Sequence, residues 1–209
     1  MQRQDANAPK GNYPVQVTAA SFPTAQTLSQ HTKLVLAVRN AGKRAIPNLA
    51  ISVCPGTCSY PAPPGQGTSS AVFDSNVNQD SLNNPSVPVW VVEQQPGPCA
   101  TLDYPTESHY SCQSGGAGAY ATQNPDTWAL GHPLAPGSTA TFVWHVVAVR
   151  PGRHVVAWQV AADLYNQAHA VRPNDGGPVA GTFSTTISSK PAQTYVNNNG
   201  QVAPGSGQP

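Results

Sequence analysis

Along most of this chain apolar and polar residues alternate in short runs bounded by Gly, Pro, Asn and Asp, a spacing that belongs to strands rather than helices. The plainest runs are Thr141 to Val149 and His154 to Val160. Eight strands are predicted: Tyr13 to Ala19, Thr32 to Asn40, Asn48 to Val53, Val87 to Glu93, Thr127 to Leu130, Thr139 to Val149, Arg153 to Asp163 and Val179 to Ser188. No run has the period of a helix. Eight strands suffice for two sheets, so the expected fold class is all-β, an antiparallel β-sandwich.

The segment Val149-Arg150-Pro151-Gly152-Arg153 reads as a tight hairpin turn, with Pro fixing φ and Gly free to take the left-handed conformation. An even pairing register would put Phe142, Trp144 and Val146 on the same face as Val156, Trp158 and Val160, and that face is the expected core. A one-residue slip would divide the two tryptophans between core and solvent. Burying each is worth a few kcal/mol at about 25 cal/mol per Å².

Between Cys54 and Asp126 the alternation loosens, with one firm strand, PVWVVEQ, in which Pro88 suits an edge position. The expected organisation is a flexible leader over 1–12, a single domain over 13–188 with a long loop insertion at 54–126, and a disordered tail rich in Asn, Gly, Pro and Gln over 189–209. All four cysteines, Cys54, Cys58, Cys99 and Cys112, fall in the insertion. Local pairing would link Cys54 to Cys58 across CPGTC and Cys99 to Cys112, one of three connectivities. The rival is a four-thiolate zinc site, which favours CxxC knuckles that neither pair supplies.

Composition narrows the partners, and the cysteines point outside the cytoplasm. Of 209 residues 9% are charged and 39% hydrophobic, against roughly 25% charged in an average soluble domain. Solubility therefore rests on neutral polar groups. A net charge of +1, scattered singly, leaves no basic stripe for a phosphate backbone, so nucleic acid is not an expected partner. No apolar stretch approaches the roughly 18 residues of a membrane span. The opening MQRQDANAPK has no apolar signal core; with cysteines that pair, the expectation is an extracytoplasmic module whose signal or anchor lies upstream.

Chemistry is sparse. No nucleophile elbow of the GxSxG type occurs, and the two glutamates, Glu93 and Glu107, the second near His109, have nothing to fix their separation as a glycosidase pair. His31, His109, His132, His145, His154 and His169 lie far apart, without metal-helix spacing. In Asp74-Ser-Asn76-Val-Asn78-Gln-Asp80 oxygen-bearing side chains alternate as in the first half of a calcium loop, but Gln79 stands where Gly is needed and Pro85 where the bidentate Glu belongs. Calcium at Asp74, Asn76, Asn78 and Asp80 is the one cofactor the sequence suggests. Trp90, Tyr104, Tyr110 and Tyr120, in or beside the insertion, form a candidate ligand surface that would stack on sugars or peptides.

Three stretches, LVLAVRNAGKRAIPNLAISV, LAPGSTATFVWHVVAVRPGRHVVAWQVAAD and GTFSTTIS, together resemble bacterial immunoglobulin-like modules of the CARDB and DUF11 type. In these an N-x-G turn follows the second strand, here Asn40 and Gly42, and L-x-P-G precedes a long hairpin, here Leu134, Pro136 and Gly137. PVWVVEQ, TWALG and PGRHVVAWQVAAD are also similar to envelope proteins of actinobacteria. The resemblance implies an immunoglobulin-like sandwich in the cell envelope, secreted or displayed, with no catalytic residues. The expected function is a non-catalytic module of interaction, adhesion or presentation whose partner is a protein or glycan; the alternative is a carbohydrate-binding module, assisted by calcium.

Overall fold

A computed structural model describes residues 7–56, 58, 73–74, 88–94, 96, 120–121, 127–191, 194–196 and 199–204. The strands are β1 (Gly11–Ser21), β2 (Ala25–Leu28), β3 (His31–Asn40), β4 (Ala50–Pro55), β5 (Phe73–Asp74), β6 (Trp90–Gln94), β7 (Tyr120–Ala121), β8 (Thr127–Ala129), β9 (Thr139–Ala148), β10 (Gly152–Ala161), β11 (Ala168–Val171), β12 (Ala180–Pro191), β13 (Thr194–Val196) and β14 (Val202–Pro204). Each of the eight predicted strands is present within a few residues. No helix occurs among the described residues.

One sheet runs β11-β1-β3-β9-β6-β5 and the other β2-β12-β10-β4-β8-β7. Taken in chain order, β1, β3, β4, β6, β9, β10 and β12 reproduce the A-B-E-D and C-F-G sheets of an immunoglobulin domain. The fold is an immunoglobulin-like β-sandwich. Both sheets are mixed rather than purely antiparallel: β11 runs parallel to β1, β2 to β12 and β5 to β6. Each parallel pair lies at a sheet edge.

The predicted hairpin at residues 149–153 is a connection between sheets. β9 pairs with β3 and β6, whereas β10 pairs with β12 and β4. The inward face is nonetheless the expected one: Phe142, Trp144, Val146, Val156, Trp158 and Val160 are all buried. Alternation fixes which side chains point inward, and a cross-sheet turn satisfies that demand as fully as a hairpin does. Trp128 of β8 reaches across the gap between sheets to lie edge-on to Trp144 of β9 at 5.3 Å, and Phe142, on the same strand as Trp144, stacks on it at 6.1 Å.

The N-x-G and L-x-P-G motifs meet. Asn40, fully buried, donates from Nδ2 to the carbonyls of Arg44 and Leu134 at 2.8 Å each, and its Oδ1 accepts the Gly42 amide at 3.0 Å. Gly137, at φ 75°, donates its amide to the Asn40 carbonyl at 2.9 Å. The two signatures are thus halves of one junction at the end of β3 and the start of β9. At the chain ends, β1 starts at Gly11, β12 continues to Pro191, and β13 pairs with β14.

Candidate functional site

The chain's first two strands serve different sheets. β1 lies in one sheet beside β3, and after Phe22 to Thr24 the chain crosses to the other as β2. β2 pairs with β12 only from Thr186 onward. The first half of β12, Ala180 to Thr185, therefore has β10 on one side and no strand among the described residues on the other.

Alternation shows which groups this leaves free. The Thr186 amide bonds outward to the Thr24 carbonyl at 2.9 Å, and the Val179 carbonyl bonds inward to the Val160 amide at 2.8 Å. With a period of two, Ala180, Thr182 and Ser184 turn their N–H and C=O groups to the open edge. Their side chains are exposed on the outer face, while Phe183 turns inward toward Phe22 and Trp158. No charged residue lies between Val179 and Ser189.

Next to this edge a cleft of about 390 Å³ opens between the sheets, walled by Val15 and Val17 of β1, Trp158 of β10, and Val179 and Ala180. Trp158 is only 7% exposed and its Nε1 is buried without a hydrogen-bond partner among the described residues. A Cβ on Gly181 would collide with Cζ2 of Trp158, so glycine is what lets the indole lie flat against β12. The chain reaches this region through Asp163, whose buried carboxylate accepts the amides of Tyr165, Gln167 and Ala168 at 3.2, 3.0 and 2.8 Å and directs it into β11.

The mouth of the cleft is the turn Arg172-Pro173-Asn174-Asp175. Arg172 grips Asp175 through two nitrogens at 2.7 and 2.9 Å, Asp175 also accepts the Gly177 amide at 3.0 Å, and Arg172 and Gly177 join through the main chain at 2.7 Å. Hydrogen bonding from Arg172, followed by that from Gly177, lowers the Asp175 carboxyl to about 2. The pair is therefore fully formed at neutral pH and is lost only as pH falls toward 2. Its two charges cancel at the rim.

The residues singled out from the sequence fare differently. Trp90, expected on a ligand surface, is a core residue with no exposed area; its Nε1 donates to Gln26 at 2.8 Å and Phe22 and Phe73 pack edge-on to its ring. Alternation within a short run cannot say that β6 lies in a sheet with a covered face. Cys54 and Cys58 form a disulfide, Cα to Cα 5.3 Å, whose Cys58 Sγ lies 3.7 Å from the Ser52 carbonyl. Asp74 and Tyr120 contribute main-chain pairing in β5 and β7. Cys99, Cys112, Asn76, Asn78, Asp80, Tyr104 and Tyr110 lie outside the described residues.

One of the scattered histidines, His31, meets a carboxylate on the first sheet, and a second, His145, is held near charged neighbours on the adjoining strand. His31 Nδ1 lies 2.8 Å from Glu93, and His145 sits opposite Lys33 on one side and Gln94 on the other. Burial first, and then Lys33, hold His145 below the usual histidine value, with Glu93 acting against them. Among the described residues no group of three or more His, Cys, Asp or Glu side chains is placed to hold an ion. Nor is any helix among them long and apolar enough to cross a membrane.

Neither a scan of protein-family profiles nor a search of curated proteins finds a match. Among solved structures the chain is similar to alpha-2-macroglobulin from Salmonella, at 14% identity over 87% of this chain and TM-score 0.39; it spans 7% of that protein's length. It is similar also to a CARDB domain from Pyrococcus furiosus in complex with di-metal ions, at 10% identity over 86% of this chain and 93% of that one, TM-score 0.38. A further similarity is to AvmM, which catalyses macrocyclization in alchivemycin A biosynthesis, at 10% identity over 88% and 93% of the two chains, TM-score 0.39. The fold assignment rests on strand order and register, not on these likenesses.

Proposed function

We propose that the chain is a non-catalytic interaction module that works outside the cytoplasm, in the cell envelope or secreted, and that its partner is a protein. The observation that carries this reading is the open side of the sandwich: a neutral strand edge next to an apolar cleft whose rim charges cancel. Such a surface offers apolar walls and main-chain hydrogen bonds, which are the means of recognition, and it brings no nucleophile beside a base. The Cys54–Cys58 bridge supports an oxidising compartment.

The test is fractionation of cells expressing the natural protein, followed by alkylation of free thiols without reductant. Recovery outside the cytoplasm with Cys54 and Cys58 unreactive is expected. A cytoplasmic protein with both thiols reactive would sink the proposal.

A further inference from the structure

We infer that the open edge of β12 is a strand-docking site, and that its occupant is an extended, uncharged peptide segment of a partner protein, with alternate apolar side chains entering the cleft beside it. The inference deepens the interaction-module reading and rests on it. Two independent features converge. Ala180, Thr182 and Ser184 present three N–H and three C=O groups along one line, and only another extended backbone matches that spacing. A strand laid on this edge alternates its side chains, so every second one points between the sheets, where Val15, Val17 and Trp158 wall the cleft.

Geometry and charge select the occupant. The window is bounded by β2 at Thr186 and by the Arg172–Asp175 turn near Val179, which admits one strand of about six residues, roughly 20 Å, and not the edge of a second sheet. The edge carries no charge and the rim ion pair is internally neutralised, so nothing draws a charged segment. Natural edge strands are commonly guarded by charge, proline or a bulge, and this half of β12 has none of the three, whereas its paired half ends in Lys190 and Pro191.

The probe is a blocked heptapeptide alternating threonine and valine between terminal asparagines, titrated into the full chain while amide hydrogen exchange and chemical shifts are followed by NMR. Saturable slowing of exchange at Ala180, Thr182 and Ser184, with shifts at Val15 and Val17, is expected. Thr182→Pro removes one outward N–H and leaves the bonds to β10, and should weaken binding by about tenfold or more. Ser184→Pro, and the same peptide N-methylated at alternate residues, give the same readout if Thr182→Pro does not fold. The inference is overturned if no amide slows, if the proline variants bind as well as the parent, or if these amides are already protected in the free chain, whether by its own segments or, with concentration dependence, by a second copy. Failure here with the chain found oxidised outside the cytoplasm would leave the module reading standing; a cytoplasmic, reduced chain removes that reading whatever the peptide does.

Discussion

Asn40 joins the end of β3 to the segment before β9: fully buried, it bonds to the Leu134 carbonyl 94 positions away as well as to two main-chain groups of its own turn. Two carbonyls and one amide rely on it. Asn40→Ala would leave them buried and unpaired, and we expect a loss of about 3 kcal/mol by urea denaturation; a loss under about 1 kcal/mol would mean that water replaces the side chain. His145 makes a pH prediction of definite sign. Its folded value lies below the usual 6.5, so stability is flat above that pH and declines as pH falls through it, while the unfolded chain takes up the proton first. By NMR titration Lys33→Gln should raise the His145 value and Glu93→Gln should lower it, and His145→Gln should remove that part of the acid slope. Shifts in the opposite directions would refute the assignment of causes.

At the scale of elements, alternation located the eight principal strands and the inward face of β9 and β10, since side-chain period is a local property. Partners are not local. The turn at 149–153 looks like a hairpin on its own, and only the competition of β3, β6, β12 and β4 for the two strands makes it a crossing between sheets. β2 and β11, four residues each, are too short and too polar or small to show a pattern, yet they decide where the open edge lies. The same distinction governs two variants. Trp144→Ala removes a fully buried ring packed on Phe142 and Trp128, and should cost about 3–5 kcal/mol, loss of structure rather than of binding alone. Replacing Cys54 and Cys58 together by Ser frees a loop with a sequence separation of 4, for which chain entropy gives about 2 kcal/mol; both measurements are equilibrium denaturation midpoints.

Over the whole molecule the candidate site was the least legible part, because it is made of what the sequence does not mark: an unpaired stretch of β12, glycine where an indole must lie, and a gap between two sheets. Of the aromatic residues expected to form a ligand surface, Trp90 is core. Among the described residues the main core cluster draws on both sheets, from Tyr13 of β1 to Ile187 of β12, with all four tryptophans, Trp90, Trp128, Trp144 and Trp158, buried in it and a small satellite of Ala50, Ala129 and Ala161 apart from it. One dominant core shared by both sheets predicts one cooperative unit. The native tryptophan emission should therefore be blue-shifted, and its red shift in urea should coincide in midpoint with the loss of the far-ultraviolet circular dichroism of the strands. With 9% charged residues and, among the described ones, the exposed Arg172–Asp175 ion pair beside the His31–Glu93 contact, the midpoint should also move little between low and high sodium chloride, since exposed pairs are screened by solvent and add little to stability. Two separated midpoints would mean that the sheets do not stabilise one another; a strong salt dependence would mean that charge rather than packing holds the sandwich together.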